Sequence, residues 1–154
     1  KTLLLYHSKT GHTFEATKAI AEGIRLAGSN ATIISVTSFE AETIHDYDGV
    51  IVASPCWAGS VTGSGIAKPL ATFLANLPAG SFQGKRCGAI SIHSTAGGGN
   101  TLKALGEILL EKGCTDYRPG PVAKAGVPFS LWRGPAVSTQ DQEHYKEYGA
   151  QFVA

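Results

Sequence analysis

The chain has 154 residues, 43% of them hydrophobic and 16% charged, with a formal net charge of +1. That length and apolar content fit one compact domain over 1–154 with a real core. The near-zero net charge argues against an acidic tail and against the basic footprint of a nucleic-acid binder, and the sparse charge argues against disorder.

Thr2 to Tyr6 is apolar and reads as a first strand. Phe14 to Leu26 carries Ala16, Ala19, Ile20 and Ile24 at close to a helical period, with Glu15, Lys18, Glu22 and Arg25 on the polar side. Gly28 stands where such a helix stops. Ala31 to Val36 is β-branched and reads as a second strand. Thr37 to Tyr47 is polar and irregular, with room for a short helical turn.

Val50 to Ala53 is wholly apolar, as suits a parallel strand covered on both faces. It gives way to loop chemistry at Ser54-Pro55-Cys56-Trp57-Ala58-Gly59-Ser60. Ile66 to Leu77 is a helix with Ile66, Leu70, Phe73, Leu74 and Leu77 on one side, and Pro69 near its start is tolerated there. Arg86 to Ile92 is a fourth strand. It runs into the loop His93-Ser94-Thr95-Ala96-Gly97-Gly98-Gly99-Asn100.

Thr101 to Glu111 is a helix with Leu102, Leu105, Ile108 and Leu109 inward, closed by Gly113. Thr115 to Ala125 holds two prolines, which predicts a short or interrupted fifth strand. Gly126 to Pro135 is a loop with Phe129, Leu131 and Trp132. Ser138 caps a last helix of roughly 14 residues, with Tyr145, Tyr148, Phe152 and Val153 on its apolar side. Alternation of this kind implies an α/β fold, a doubly wound parallel sheet with helices on both faces.

No apolar run is long enough to span a bilayer, and no signal-peptide pattern opens the chain. With Lys1 first and no Met anywhere, the sequence reads as trimmed or as cut from a longer chain. Cys56, Cys87 and Cys114 are widely spaced and form no C-x-x-C, which argues against a zinc ribbon, a thioredoxin motif and an iron–sulfur run. Free thiols in a reducing cytoplasm are expected, with Cys87 and Cys114 in or near the core.

Chemistry concentrates in three segments that each follow a strand. In a parallel sheet these segments share the carboxyl edge, where open α/β sheets place ligands. Residues 8–13 combine three hydroxyls, Lys9 and Gly11 at a helix start, which favours an anion such as a phosphate. An ordinary capped turn is the alternative. Neither a P-loop nor a G-x-G-x-x-G fingerprint is present. Residues 54–60 offer Trp57 as a flat surface beside Pro55 and Gly59. Residues 93–100 offer glycines that let backbone approach a planar ring.

Ser8-Lys9-Thr10-Gly11-His12-Thr13 after an apolar strand resembles the phosphate loop of the flavodoxin-like flavoproteins. Tyr47-Asp48-Gly49-Val50-Ile51-Val52-Ala53-Ser54-Pro55 with Trp57 and Gly59, and the 93–100 segment, extend the resemblance over nearly the whole chain. They look most like the branch that includes WrbA-type NAD(P)H:quinone oxidoreductases, although that branch has Thr-Pro where Ser54-Pro55 stands here.

The resemblance implies a three-layer flavodoxin-like fold, a five-stranded parallel sheet of order 2-1-3-4-5. It implies FMN as cofactor: Ser8, Lys9, Thr10, Gly11, His12 and Thr13 at its phosphate, and Ser54, Pro55, Cys56, Trp57, Ala58, Gly59, His93, Ser94, Thr95, Ala96, Gly97 and Gly98 around the isoalloxazine. Trp57 is the expected stacking residue. No acid–base residue is needed for electron transfer, so none is assigned as catalytic.

The implied function is electron transfer to a redox partner protein or a small quinone-like acceptor, in the cytoplasm. The short chain fits an electron carrier somewhat better than a quinone reductase. Three alternatives stand beside it: a Cys56–His93 nucleophilic pair, a zinc site using His7 or His12, and a flavin-free interaction module. Trp132 reads as a second aromatic wall or, more simply, as core packing.

Overall fold

The computed structural model describes residues 1–8, 11–56, 65–93, 98–124 and 138–154. Five strands form one sheet: β1 (Thr2–Tyr6), β2 (Ala31–Ser35), β3 (Gly49–Pro55), β4 (Arg86–His93) and β5 (Asp116–Lys124). The helices between and after them are α1 (His12–Leu26), α2 (Lys68–Asn76), α3 (Gly98–Glu111) and α4 (Thr139–Phe152), and a 3-10 helix spans Ala41–Asp46. Every strand pair is parallel, and the order is β2-β1-β3-β4-β5. Chain alternation and sheet order are therefore those expected of a flavodoxin-like fold.

Side chains alternate across the sheet because successive residues of a strand point to opposite faces. Leu3, Leu5, Val50, Val52, Cys87 and Ala89 pack on one side with Leu70 and Leu74 of α2 and Leu105 and Leu109 of α3. Leu4, Ile51, Ala53, Ile90 and Ile92 pack on the other with Ala16, Ile20 and Ile24 of α1 and Tyr145 and Phe152 of α4. Each fully buried Leu or Ile contributes about 1.5–3 kcal/mol relative to exposure. The central strand β3 is buried from Gly49 to Ser54, which accounts for its unbroken apolar run.

Three details depart from the sequence reading. The third strand continues through Ser54 and Pro55, because β4 runs alongside it that far and pairs Ser54 with Ser91 and Pro55 with Ile92. The fifth strand is not short: it has nine residues, Asp116–Lys124, although its pairing with β4 is interrupted around Gly120 and Pro121. It is the edge strand with β4 as its one neighbour, so Pro119 and Pro121 interrupt no second ladder, and the register shifts between Ala89 and Ser91. Finally, α2 starts at Lys68, because Ile66 is extended and bridges Cys56.

The last helix is capped as its sequence implies. The Ser138 hydroxyl accepts from the Asp141 N–H at 3.1 Å and caps α4. Cys87 and Cys114 are both buried, at 0% and 6% exposure.

Candidate functional site

Sheet order sets the site. β1, β3 and β4 are consecutive neighbours, so their carboxyl ends lie side by side. The His7 N–H donates to the Ala53 carbonyl at 3.2 Å, and the Cys56 N–H donates to the Ile92 carbonyl at 2.8 Å. The segments that begin at His7, Cys56 and His93 therefore leave the sheet from one edge.

The first segment is organised by Ser8 and Gly11. The Gly11 N–H donates to Ser8 Oγ at 2.9 Å. Gly11 has φ 92° and ψ −7°, left-handed backbone that glycine adopts without a Cβ penalty. From there the chain enters α1, and the Glu15 N–H donates to the Gly11 carbonyl at 3.0 Å. The helix that starts after Gly11 has its positive end at the carboxyl edge, where its first N–H groups favour an anion.

His12 and Thr13, the first residues of α1, are buried at 4% and 2% exposure. His12 Nδ1 lies 3.9 Å from Glu15 Oε2 one turn on. Thr17 Oγ1 donates to the Thr13 carbonyl at 2.7 Å. Beneath the turn, the rings of Tyr6 and Phe14 meet with centroids 5.2 Å apart. Burial holds the His7 imidazole below its ordinary pKa, so its neutral form is favoured.

At the second segment, Ser54 is completely buried while Pro55 and Cys56 are half-buried. Ser54 Oγ accepts from the Ala67 N–H at 3.0 Å and donates to the Pro55 carbonyl at 2.7 Å. Of the expected third segment, the backbone of His93 ends β4 and that of Gly98 opens α3. Helix α3 thus starts inside the glycine run that reads as loop in the sequence.

The structure brings together Ser8, Gly11, His12, Thr13, Ser54, Pro55, Cys56 and the backbone of His93. Lys9, Thr10, Trp57, Ala58, Gly59, Ser94, Thr95, Ala96 and Gly97 lie outside the described residues, as do Phe129, Leu131 and Trp132. Two participants escape a sequence reading: Glu15, which faces His12, and Ala67, which meets Ser54. Glu15 has a weak signal, an acid in the first turn of a helix. Ala67 has none, because its contribution is a backbone N–H. Among the described residues, no group of three or more His, Cys, Asp or Glu forms a metal site.

A cleft of about 340 Å³ lies at the opposite, amino edge of the sheet, lined by Lys85, Arg86, Asp116 and Phe152 among others. Its cations are engaged in the fold. Arg86 Nε donates to Asp116 Oδ2 at 2.8 Å, an Arg86 guanidinium nitrogen donates to the Phe152 carbonyl at 2.7 Å, and Lys85 Nζ donates to the Tyr47 carbonyl at 2.5 Å. The carboxyl edge is thus the better candidate, in keeping with the general behaviour of parallel α/β sheets.

The flavodoxin family model matches residues 4–127. No curated protein matches the chain. Oxidised flavodoxin 1 from Bacillus cereus is similar in structure, with TM-score 0.76 at 21% identity over 99% of this chain and 96% of that one. A two-electron reduced flavodoxin from Megasphaera elsdenii gives TM-score 0.75 at 14% identity over 98% and 99%. Rubredoxin oxygen:oxidoreductase from Desulfovibrio gigas gives TM-score 0.73 at 24% identity, over 99% of this chain and 34% of that larger one. With the family model spanning most of the sequence, and the sheet in the 2-1-3-4-5 order, the chain belongs to the flavodoxin family.

Proposed function

We propose that residues 1–154 form a single flavodoxin domain that binds FMN and passes electrons through it. Family membership supports the cofactor and the activity. The observation that carries the reading is the Ser8–Gly11 turn at the head of α1, on the same sheet edge as Pro55 and His93.

The residues present fit the cofactor's phosphate end. The Ser8 hydroxyl draws the Gly11 N–H inward, and left-handed Gly11 turns the chain directly into α1. Backbone donors at the positive end of a helix suit a phosphate dianion. Lys9, Thr10 and Thr13 are proposed as further phosphate partners, with Pro55–Gly59 and His93–Gly98 flanking the ring and Trp57 stacked on it.

Bound FMN would supply a ring that takes up one or two electrons. The chain's own part is to hold the phosphate, fix the ring at the edge and keep bulk water from one side of it. No side chain is required to move a proton.

The proposed partner is a redox protein or a small quinone-like acceptor. The proposed residence is the cytoplasm, where buried thiols such as those of Cys87 and Cys114 stay reduced. Among the described residues, no helix is long and apolar enough to cross a membrane. The family match is with flavodoxins and leaves the WrbA-type branch unassigned. Carriage is separated from quinone reduction by incubating FMN-loaded protein with NAD(P)H and a benzoquinone. A carrier leaves the NAD(P)H unconsumed, yet once photoreduced it delivers electrons to oxidised cytochrome c. Steady NAD(P)H consumption identifies a reductase.

A further inference from the structure

Cys87 and Cys114 are distant in sequence and meet in the core. Cys87 lies in β4 and Cys114 on the turn between α3 and β5, and both belong to the apolar cluster on the α2–α3 side of the sheet. Their thiols donate to one acceptor, the Lys85 carbonyl, at 3.7 and 3.8 Å. Cys114 also adds to burial in raising the pKa of the Cys87 thiol, as a sulfur close beside it does. Neither takes part in the proposed electron transfer.

The two differ in setting. Cys87 has no exposed surface and is paired on both sides, with Val50 of β3 and Tyr117 of β5. Cys114 keeps 6% exposure, follows Gly113 with its φ of 103°, and precedes exposed Thr115. A turn of this kind opens locally more readily than an interior strand. It supplies the movement that brings the sulfurs to the bonded distance of about 2 Å.

We propose that Cys87 and Cys114 are a thiol pair that a hydroperoxide converts to an intrachain disulfide, with Cys114 attacked first and Cys87 resolving. The Cys114 sulfur attacks the peroxide: an S–O bond forms, the O–O bond breaks, and water or an alcohol leaves with the thiol proton. Cys87 then attacks the oxidised sulfur. The S–S bond forms, the S–O bond breaks, and the hydroxyl leaves as water with the Cys87 proton. Two electrons pass from the two sulfurs to the peroxide. Cys87, held protonated by burial, suits the second role, since it stays inert until its neighbour is oxidised. Extended chain of about 20 Å separates Cys87 from His93 at the carboxyl edge, so the pair stands apart from the proposed flavin site.

The test treats the folded protein with excess hydrogen peroxide, alkylates the remaining thiols and digests with trypsin without reductant. We expect the peptide Cys87–Lys103 joined to Gly113–Lys124, about 2 Da lighter than the two free peptides together and separated again by dithiothreitol. A non-reducing gel shows the mass of a single chain. In Cys114→Ala, Cys87 stays reduced over the same interval. In Cys87→Ala, Cys114 has no resolving thiol and goes on to the sulfinic acid, gaining about 32 Da.

Cys87 and Cys114 recovered on separate peptides, or Cys114 joined to Cys56, would overturn the proposal. So would a link that forms only in urea, because the pair would then not meet in the fold. Oxidation of Cys87 in Cys114→Ala at the wild-type rate would overturn the order of attack. The wild-type peptide map decides the pairing even where an alanine variant fails to fold.

Discussion

Gly23 of α1 and Gly149 of α4 let the two helices meet backbone to backbone. A Cβ placed on Gly23 would lie 1.8 Å from the Lys146 carbonyl oxygen, and one on Gly149 would lie 2.2 Å from the Ile20 carbonyl oxygen. Both obstacles are main chain, which cannot rotate aside as a side chain tip does. This crossing involves the same helix that begins at the left-handed Gly11, where the phosphate is proposed to bind.

Gly23→Ala is a test in which two effects have opposite signs. Helix propensity alone favours alanine by about 1 kcal/mol. The clash requires the helices to separate, and we expect a net loss of about 2–3 kcal/mol. Urea unfolding of the apoprotein measures it. A variant as stable as wild type would show that the helices part without cost.

Ser8→Ala removes the acceptor of the Gly11 N–H at the phosphate turn. FMN affinity is expected to fall about tenfold, with riboflavin affinity unchanged, since the proposed partner of this segment is the phosphate, which riboflavin lacks. Isothermal calorimetry with each ligand measures both. Equal losses for the two ligands would show that this turn does not face the phosphate.

Asp116 sits between Arg86 and Arg118, at 2.8 and 3.3 Å. The hydrogen bond from Arg86 is the chief reason that its carboxyl lies below its ordinary pKa. A depressed folded-state pKa contributes stability above the ordinary carboxylate value, and that contribution disappears as pH falls through the lowered one. The Tm gap between wild type and Asp116→Asn is therefore largest near neutral pH and closes in acid. A gap that is constant with pH would show that the charge of Asp116 plays no part.

The three cysteines differ in reach. Cys87 and Cys114 are buried, and their thiols donate to the same Lys85 carbonyl at 3.7 and 3.8 Å. Burial, reinforced by Cys114, pushes the Cys87 thiol well above its ordinary pKa, so little reactive thiolate forms. Cys56 is half-buried on the site edge. Brief alkylation of native apoprotein should modify Cys56 alone by peptide mass spectrometry, and FMN should slow it. Early labelling of Cys87 would contradict the packing, and labelling unaffected by FMN would place the ring away from Cys56.

Much of this architecture is legible in the residues. The apolar runs at Leu3–Leu5 and Val50–Ala53 lie in two of the interior strands, β1 and β3, and Ser138 caps α4 as its type and position imply. What is not legible depends on neighbours distant in sequence. Pro119 and Pro121 read as strand breakers, yet β5 is an edge strand and accommodates them. Ser54 and Pro55 read as loop, yet β4 runs beside them and keeps them extended. The phosphate turn is visible as a local pattern of hydroxyls and glycine. The partnership of Ser54 with the backbone of Ala67 is not, because thirteen residues separate them and the donor is main chain.

The central claim is that the carboxyl edge binds FMN. It is tested most directly by the visible absorption spectrum of the purified protein, incubated with FMN and then desalted. The account predicts flavin bands that stay with the protein at one FMN per chain, with fluorescence quenched as a ring stacked on Trp57 requires. Protein that emerges colourless after incubation with excess FMN would contradict it.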